Sequence, residues 1–313
     1  VVFNPNHTLK ITNWVHVNGG SLTFENNASL VQINNAAVNT GNITYKRNFT
    51  GGEFDYTYWS SPVALQNLQT LSPNTKLDKF FYFNSSLNDW IQVDPSSTTM
   101  DAGKGYIIRG VPIPSGPPPP GFGTNSFIGI PNNGSYSITG IIADRSYLLG
   151  NPYPSALDAD TFLDANDKVL DGTLYFWTHN TPIAIGTPDP GSGLWAYSGN
   201  DYASYNRTGG VSTAEAAPSA GTGGLNKNIP SGKIASGQGF FGGTKTVVDG
   251  FVSGIPIVYN NTMRVGVIDI TKEDNSQFFK TKNPKAKTNT QLEKHRVWLD
   301  LTNVEGAFKQ TLV

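Results

Sequence analysis

Cysteine is absent from the 313-residue chain, and histidine and methionine are rare, with four and two copies. Without cysteine there is no disulfide framework, no thiolate metal site and no cysteine nucleophile. Charged residues make up only 14% of the chain and the formal net charge is −1, so the basic excess of a binder of nucleic acid or anionic membranes is missing. Neither a run of 18 apolar residues nor a signal peptide occurs. We therefore expect no nucleic-acid partner and no membrane insertion.

Glycine and proline are abundant instead, with 34 and 20 copies, and aromatic residues make up 12% of the chain. Together with many Asn, Ser and Thr residues, this composition is typical of short strands joined by turns and predicts a mainly β fold. In the first 50 residues the strand pattern predicts that four side chains point inward, those of Leu22, Phe24, Leu30 and Ile33. This pattern fits either short β-solenoid coils or a hairpin meander.

The central part of the chain contains an internal duplication. The first copy runs DYTYWSSPVALQNLQTL, DKFFYFN, NDWIQVD and MDAGKGYIIRG, and the second runs SYLLGNPYPSALDADTFL, GTLYFWTHN, NDYASYN and KIASGQGFFGG. Each copy places a proline after its first strand and ends on a Gly-x-Gly-aromatic strand. The predicted structural turn residues are Pro62, Pro152, Pro154, Gly103, Gly105, Gly237 and Gly239. In this alignment Pro62 matches either Pro152 or Pro154.

The duplication divides the chain into four predicted segments, of which the two central ones are related β-sandwich-like units. The second unit carries two insertions that lack strand alternation and are interpreted as long loops. We expect the last segment to be a truncated β segment of a longer protein. The segments are a solenoid-like or meander segment at 1–50, a first β unit at 51–142 with a Pro-rich loop at 113–123, a second β unit at 143–268 with loops at 178–199 and 206–230, and a C-terminal β segment at 269–313.

A cluster of carboxylates follows the prolines of the second copy. Asp158, Asp160 and Asp164 lie in LLGNPYPSALDADTFLDAND, and the matching positions of the first copy hold uncharged residues. The repeat therefore does not need these acids for its fold. We expect Ser155 or Asp158 to cap a short helix, with the other acids at the surface. A calcium site is the alternative, since calcium prefers flexible oxygen cages, and no other cofactor is expected.

A second candidate site lies near the long loops of the second unit. Aromatic residues there alternate with Gly, Ser and Asn, a context in which rings are less easily buried and can stack on sugars. The candidate ligand-binding residues are Trp177, His179, Trp195, Tyr197, Asp201, Tyr202 and Tyr205. This set predicts carbohydrate binding, with a surface glycan as partner, as an alternative function.

Signatures of catalysis are missing from the sequence. The four histidines form neither HExxH nor another two-histidine metal spacing, and no G-x-S-x-G or P-loop occurs. The segment GQGFFG at 237–242 matches G-x-G-x-x-G, but a strand-like segment follows it and its duplicate GKGYIIRG occupies the same place. The carboxylates at 158–164 leave a glycoside hydrolase as a third interpretation. We expect a protein without enzymatic activity.

Several long motifs resemble a known group of proteins. They are YTYWSSPV, AGKGYIIRG, LLGNPYPSALDADTFL, GTLYFWTHN, PSGKIASGQGFF and EKHRVWLDLTNVEGAFKQTL, and they are similar to C-terminal regions of large secreted surface proteins of Bacteroidota such as flavobacteria. The resemblance implies an extracellular, adhesin-like protein that the type IX secretion machinery exports, with a short sorting domain beyond this chain. It implies no catalytic residue and no particular ligand.

These observations together predict an extracellular structural module, such as the stalk or presentation segment of an adhesin. Self-association into filaments is expected to use exposed strand edges, because an edge offers backbone groups to a neighbouring chain.

Overall fold

The computed structural model confirms a mainly β fold that consists of several separate sheets. The chain forms two compact units, Val1–Lys282 and Asn283–Val313, and the segments predicted before residue 268 all lie in the first unit. The structure describes residues 1–50, 52–111, 122–178, 184–185, 195–197, 199–213, 229–266, 275–276, 298–302 and 308–312.

Short strands make up most of the secondary structure in the described residues. The strands are β1 (Val2–Phe3), β2 (Thr8–Ile11), β3 (Thr23–Phe24), β4 (Ser29–Gln32), β5 (Ile43–Thr50), β6 (Tyr56–Trp59), β7 (Phe80–Asn84), β8 (Asp89–Gln92), β9 (Tyr106–Arg109), β10 (Phe122–Gly129), β11 (Tyr136–Ile138), β12 (Ser146–Gly150), β13 (Leu157–Asp158), β14 (Leu170–Trp177), β15 (Ala184–Ile185), β16 (Trp195–Ala196), β17 (Tyr202–Asn206), β18 (Gly209–Val211), β19 (Lys233–Ile234), β20 (Gly239–Thr244), β21 (Ile257–Tyr259), β22 (Trp298–Thr302) and β23 (Phe308–Leu312). The α-helices are α1 (Leu68–Leu71) and α2 (Ala159–Ala165), and 3-10 helices span Gly199–Asp201 and Asn261–Met263. No helix in the described part of the chain is long and apolar enough to cross a membrane. In the second compact unit, β22 and β23 form an antiparallel hairpin.

The N-terminal segment is a β-solenoid and not a hairpin meander. β1, β3 and β5 pair in parallel, with Val2 opposite Thr23 and Thr23 opposite Thr44. Both steps span 21 residues (23 − 2 and 44 − 23), and β2 pairs with β4 at the same step, Thr8 opposite Ser29. Consecutive strands of a meander would pair antiparallel. The chain therefore completes one coil about every 21 residues.

Apolar side chains stack inside the coils. Phe3 and Phe24 lie one coil apart, with ring centroids 5.0 Å apart and planes 8° apart. Phe24 and Leu30 are fully buried, as the strand pattern predicts. The prediction for Ile33 is wrong, because β4 ends at Gln32 and Ile33 lies beyond the strand with 41% of its surface exposed.

Two antiparallel sheets show the internal duplication as a repeated topology. The first sheet has the strand order β6-β9-β7-β8, and the second has β12-β20-β14-β17-β18. β6 corresponds to β12, β7 to β14, β8 to β17 and β9 to β20, while β18 is an additional edge strand of the second sheet. The strand register agrees between the two sheets. Phe83 pairs with Trp90 in the first sheet, and the equivalent residues Trp177 and Tyr202 pair in the second. A short helix follows the first strand of each sheet, α1 in one and α2 in the other.

The strand register also decides which prolines correspond. Trp59 and Leu149 each pair with the aromatic residue that follows Gly-x-Gly in their own copy. Pro62 and Pro152 both lie three residues after these equivalent positions (62 − 59 and 152 − 149), so Pro62 matches Pro152 and not Pro154. The two prolines share a partner as well, because Asn132 donates from its main-chain N to Pro62 O at 3.0 Å and from Nδ2 to Pro152 O at 2.9 Å.

The two copies bind each other through their Gly-x-Gly turns. Gly103 and Gly237 have φ angles of +84° and +81°, in the left-handed region that glycine adopts without strain. The N–H of Gly150 donates to Gly103 O, and the N–H of Ser60 donates to Gly237 O, both at 2.9 Å. Ser60 and Gly150 occupy equivalent places in the two copies. The contact is therefore reciprocal, as it is across a two-fold axis.

Glycine residues, which have no side chain, allow the two copies to approach this closely. A Cβ placed on Gly105 would lie 2.6 Å from Leu148 Cγ, and a Cβ on Gly150 would lie 2.2 Å from Ser60 Cβ. A Cβ on Gly239, the counterpart of Gly105, would lie 3.1 Å from the carbonyl carbon of Tyr58. The predicted structural turns thus include the points where one backbone passes over the other.

Aromatic side chains fill the space between the two sheets, so that they form a sandwich. The ring of Tyr58 in β6 stacks on Trp177 in β14, with centroids 5.8 Å apart and planes 7° apart. Phe83 meets Phe241 edge to face at 4.9 Å. We call this group the inter-sheet cluster; its members are Tyr56, Tyr58, Phe81, Phe83, Trp90, Ile107, Leu148, Trp177, Tyr197, Tyr202 and Phe241.

The outer faces of the sandwich are covered as well. The outer face of the first sheet packs against the solenoid in one core, and the outer face of the second sheet packs against α2 in another. Arg264 joins the solenoid to the second copy: its buried side chain donates to Ser155 Oγ at 3.0 Å and to the carbonyl of Leu30 in β4. The guanidinium also lies 4.9 Å from the ring centroid of Tyr153.

Strands occur inside the predicted loops. β15 pairs with β16 inside the loop predicted at 178–199, and β18 inside the loop predicted at 206–230 extends the second sheet. Most of the Pro-rich loop at 113–123 lies outside the described residues, while its last two residues belong to β10. Short two- and three-residue strands have too few positions for alternation to reveal them.

Gly150→Ala is expected to lower the free energy of unfolding by about 1–3 kcal/mol, because the added methyl group collides with Ser60 where the copies cross. The measurement is urea denaturation followed by tryptophan fluorescence. Gly199→Ala is the matched control, since its Cβ meets no atom within 4 Å. The double variant Ser60→Gly/Gly150→Ala should recover part of the loss. Equal stability of Gly150→Ala and the control would contradict the close approach.

Candidate functional site

The structure brings three of the predicted ligand-binding residues together. The rings of Trp177 and Tyr202 lie 5.0 Å apart, and those of Trp177 and Tyr197 lie 6.4 Å apart, all within the inter-sheet cluster. Tyr205 lies on the opposite face of its strand, in the core between the second sheet and α2. Trp195 is part of β16, and His179 lies outside the described residues.

Trp177 and Tyr205 are buried and serve packing, so these two rings are not open to a sugar as the carbohydrate-binding prediction requires. Trp177 is only 8% exposed because one of its faces stacks on Tyr58. Tyr202 is half-buried, and its hydroxyl lies 2.5 Å from that of Tyr58. Tyr205 is buried and donates from its hydroxyl to Asp160 Oδ1 at 3.0 Å. Trp177 and Tyr202 pack against Tyr58 of the first sheet, a contact that a single chain segment does not reveal.

Asp201 is also buried. Its main-chain carbonyl accepts hydrogen bonds from the N–H of Thr178 at 2.9 Å and from Thr178 Oγ1 at 2.7 Å. The residue therefore fixes the start of β17 against the end of β14, and it is not presented to a ligand as predicted.

The three carboxylates of the calcium prediction have three separate protein partners. Asp158 pairs with Lys233, Asp160 accepts from Tyr205, and Asp164 pairs with Arg207 at 2.5 Å. Within the described ranges, no three His, Cys, Asp or Glu side chains come close enough together to hold a metal ion. The acids thus act as a helix cap and as partners of neighbouring side chains.

Asp158 caps α2, as one of the two predicted caps. Its Oδ1 accepts from the N–H of Thr161 at 2.9 Å, and Asn67 accepts from the N–H of Thr70 at 3.1 Å in the same place before α1. Burial acts to raise the pKa of the Asp158 carboxyl, but the hydrogen bonds from Lys233 and Thr161 outweigh it and lower this pKa. The carboxylate is therefore the form that the folded state favours.

Seven rings of the inter-sheet cluster are only partly buried, and Tyr56, Phe81 and Tyr197 are three of them. Tyr56 meets Phe81 at 5.9 Å and Tyr197 at 5.5 Å, and both contacts are edge to face. Tyr197 donates from its hydroxyl to Phe54 O at 2.8 Å. Burial raises the pKa of Tyr56 to about 12, although the charge of Arg109 acts to lower it, so the hydroxyl stays protonated at neutral pH.

Arg109 lies beside these rings at the end of β9. Its side chain is 8% exposed, and the guanidinium carbon lies 5.3 Å from the ring centroid of Phe54. Its buried Nε has no hydrogen-bond acceptor among the described residues. We define the Arg109 site by Phe54, Tyr56, Phe81, Arg109 and Tyr197.

The sequence interpretation missed this site except for Tyr197. Tyr56 lies in the strand YTYW, Phe81 lies in the apolar strand FFYFN, and Arg109 is the single charge of the strand YIIR. A lone arginine in an otherwise apolar strand is the signal that could have identified it, because an unpaired charge is rarely buried without a role.

The fold and the site define a β-solenoid fused to a duplicated β-sandwich with a half-buried aromatic and arginine site at one end. The chain belongs to the family described as a domain of unknown function (DUF8693), whose model matches residues 1–313. No curated protein and no solved structure matches it.

Asp158→Asn is expected to keep the cap of α2, since Asn67 caps α1 in the same way, and to lose the ion pair with Lys233. Asp158→Ala should lose the cap as well, at a further cost of about 1 kcal/mol in the free energy of unfolding. Because the folded pKa of Asp158 is lowered, the ion pair's contribution is present above the unfolded pKa of about 3.9 and is lost as pH falls through the folded value.

Urea denaturation of the three proteins at neutral pH and at about pH 2.5 measures both effects. The wild type and Asp158→Asn should differ at neutral pH and converge in acid. Equal stability of the Asn and Ala variants would show that the cap contributes nothing.

Proposed function

We propose that this chain is a non-catalytic structural module of a secreted cell-surface protein, in which a β-solenoid stalk ends on a rigid double sandwich. The observation that carries the proposal is the core that the solenoid shares with the first sheet. The motif similarity to Bacteroidota surface proteins supports an adhesin-like, extracellular role and export by the type IX secretion machinery.

The junction between solenoid and sandwich is continuous. β10, which follows the first sandwich sheet in the chain, joins the solenoid sheet antiparallel to β5 over eight residues, from Ile43 opposite Gly129 to Thr50 opposite Phe122. Phe49 of β5 packs edge to face on Trp59 of β6 at 5.6 Å. A joint built from a shared packed core transmits force better than a flexible linker does. Such rigidity suits a stalk that holds a surface away from the cell.

Phe24→Ala tests whether the solenoid and the first sheet act as one body. Removing this buried ring should cost about 3–5 kcal/mol. Native-state hydrogen exchange should then show the same loss of protection in β7 of the first sheet as in β4 of the solenoid. Val38→Ala is the control in the same coils, because Val38 is 78% exposed. Loss of protection confined to β2–β4 would refute the rigid joint.

Self-association is the second part of the proposal, with another copy of the chain as the partner. β10 is an edge strand of the solenoid sheet, and Ile128 in this strand is 57% exposed. An edge strand with apolar side chains is a template for pairing with a neighbouring chain.

Ile128→Lys should reduce self-association, because a charge at the edge opposes pairing. Sedimentation velocity over a range of protein concentrations gives the dissociation constant, which we expect to rise at least about tenfold. Val248→Lys is the matched control, since Val248 is 96% exposed and lies in a turn. A wild-type protein that stays monomeric at the highest concentration, without polymers in electron micrographs, would rule out this part.

Carbohydrate binding is the second candidate function, and the half-buried rings of the Arg109 site favour it. Tyr56, Phe81 and Tyr197 are half-buried members of the inter-sheet cluster. Partly exposed rings next to polar groups can stack on sugar rings. The proposed glycan contacts thereby move from Trp177 and Tyr202 to this end of the sandwich.

A further inference from the structure

The sequence contains two Asn-Gly pairs, Asn18–Gly19 in the solenoid and Asn133–Gly134 after β10. In such a pair the backbone nitrogen of glycine can attack the side-chain amide carbon of asparagine. The following glycine favours this attack, because it has no side chain to shield its nitrogen and adopts backbone angles that other residues avoid. Both pairs carry this chemistry in their sequence, so the fold determines which of them reacts.

The first pair lies at an open corner of the solenoid. Asn18, Gly19 and Gly20 are all exposed, and a Cβ placed on either glycine meets no atom within 4 Å. Both glycines are in the left-handed region, with φ angles of +72° and +68°. Among the described residues, none forms a hydrogen bond with the side chain of Asn18 or with the N–H of Gly19. Nothing in this part of the chain therefore holds the amide carbon away from the glycine nitrogen.

The residues on both sides of this corner are fixed to the next coil. The N–H of Val17 donates to Thr40 O, and Leu22 O accepts from the N–H of Thr44, both at 2.9 Å. A change in the backbone at Asn18 is therefore confined to the few residues between these two hydrogen bonds, and the parallel pairing of the coils does not oppose it.

The second pair is held at every group that the reaction uses. Asn133 donates from Nδ2 to Asn34 O at 3.0 Å and to Ala37 O at 2.8 Å, and its Oδ1 accepts from Asn261 Nδ2 at 2.9 Å. The N–H of Gly134, which is the nucleophile of this pair, donates to Asn261 Oδ1 at 3.1 Å. Gly134 is also buried. The amide and the nitrogen cannot meet unless these hydrogen bonds open.

We propose that Asn18 is a site of spontaneous deamidation, which gives the solenoid an additional negative charge with time. A bond forms between the nitrogen of Gly19 and Cγ of Asn18, and the side-chain nitrogen leaves as ammonia with the proton of the Gly19 N–H. Water then opens the cyclic imide at either carbonyl and leaves aspartate or isoaspartate. No atom changes its oxidation state, and water is the only co-reactant.

Peptide mapping of the whole chain, incubated in the folded state at mildly alkaline pH, tests the proposal. Trypsin releases residues 11–46 with Asn18 and residues 110–145 with Asn133. Electron-transfer fragmentation locates the modified residue and separates aspartate from isoaspartate, and a digest before incubation gives the background. Asn18 should convert at least about tenfold faster than Asn133, because Asn133 reacts only from a locally opened state. The same incubation in concentrated urea should remove the difference.

A variant separates Asn18 from the other asparagines of the chain. Asn18→Gln should suppress the acidic form that ion-exchange chromatography detects in the aged protein, since glutamine would have to close a larger ring. Asn4→Gln is the matched control, because Asn4 is exposed but precedes Pro5, whose nitrogen carries no hydrogen. The acidic form should appear in this control as in the wild type.

The peptide map of the wild type decides the question even where a variant does not fold. An Asn18 that stays intact in the folded protein overturns the proposal. Equal conversion of the two asparagines in the folded protein also overturns it, since the fold then selects neither. A difference that persists in urea assigns the selection to the local sequence and overturns the structural argument. An acidic form that is undiminished in Asn18→Gln places the reaction at another residue.

Discussion

The arrangement of this molecule depends on the place where two backbones cross without side chains between them. At Ser60 and Gly150 the equivalent strand ends of the two copies meet, and each donates to the left-handed glycine of the other copy. This crossing fixes the distance between the sheets, and the distance decides which rings fill the gap. Close-packed aromatic rings tolerate little change in spacing. Glycine at a few positions therefore determines the composition of the whole inter-sheet cluster.

Asparagine side chains connect distant segments through hydrogen bonds, a role that disulfide bonds have in many extracellular proteins. Asn132 binds the carbonyls after both repeat strands, and Asn151 donates to Ser155 O at 2.8 Å and Ile234 O at 2.9 Å. Asn275 donates to Ala28 O in the solenoid and accepts from the N–H of Ser236 in the second copy. Each such hydrogen bond typically contributes about 1 kcal/mol to the free energy of unfolding. Several such residues together fix irregular connections that have no regular ladder.

Sequence reasoning succeeded where the pattern was long or repeated. The mainly β class, the duplicated units, the helix cap at Asp158 and the matching pairs around Trp90 and Tyr202 all follow from extended or recurring motifs. It failed where contacts join distant parts of the chain. Trp177 near the long loops was a candidate sugar contact, but its ring stacks on Tyr58 of the first sheet, a contact that exists only after the duplication folds onto itself. Arg109 was missed for a related reason, since its rings come from three separate segments.

The regular pairing of the 21-residue coils determines how the length of the solenoid can change. Each coil advances the stack by one inter-strand spacing, about 4.8 Å, and uses 21 residues of chain (23 − 2). A protein built in this way changes its reach in fixed increments, so that ten added coils would extend it by roughly 50 Å. Only whole coils preserve the register that delivers β5 to β10. Evolution can thus adjust how far the sandwich stands from its base, while the sandwich itself stays unchanged.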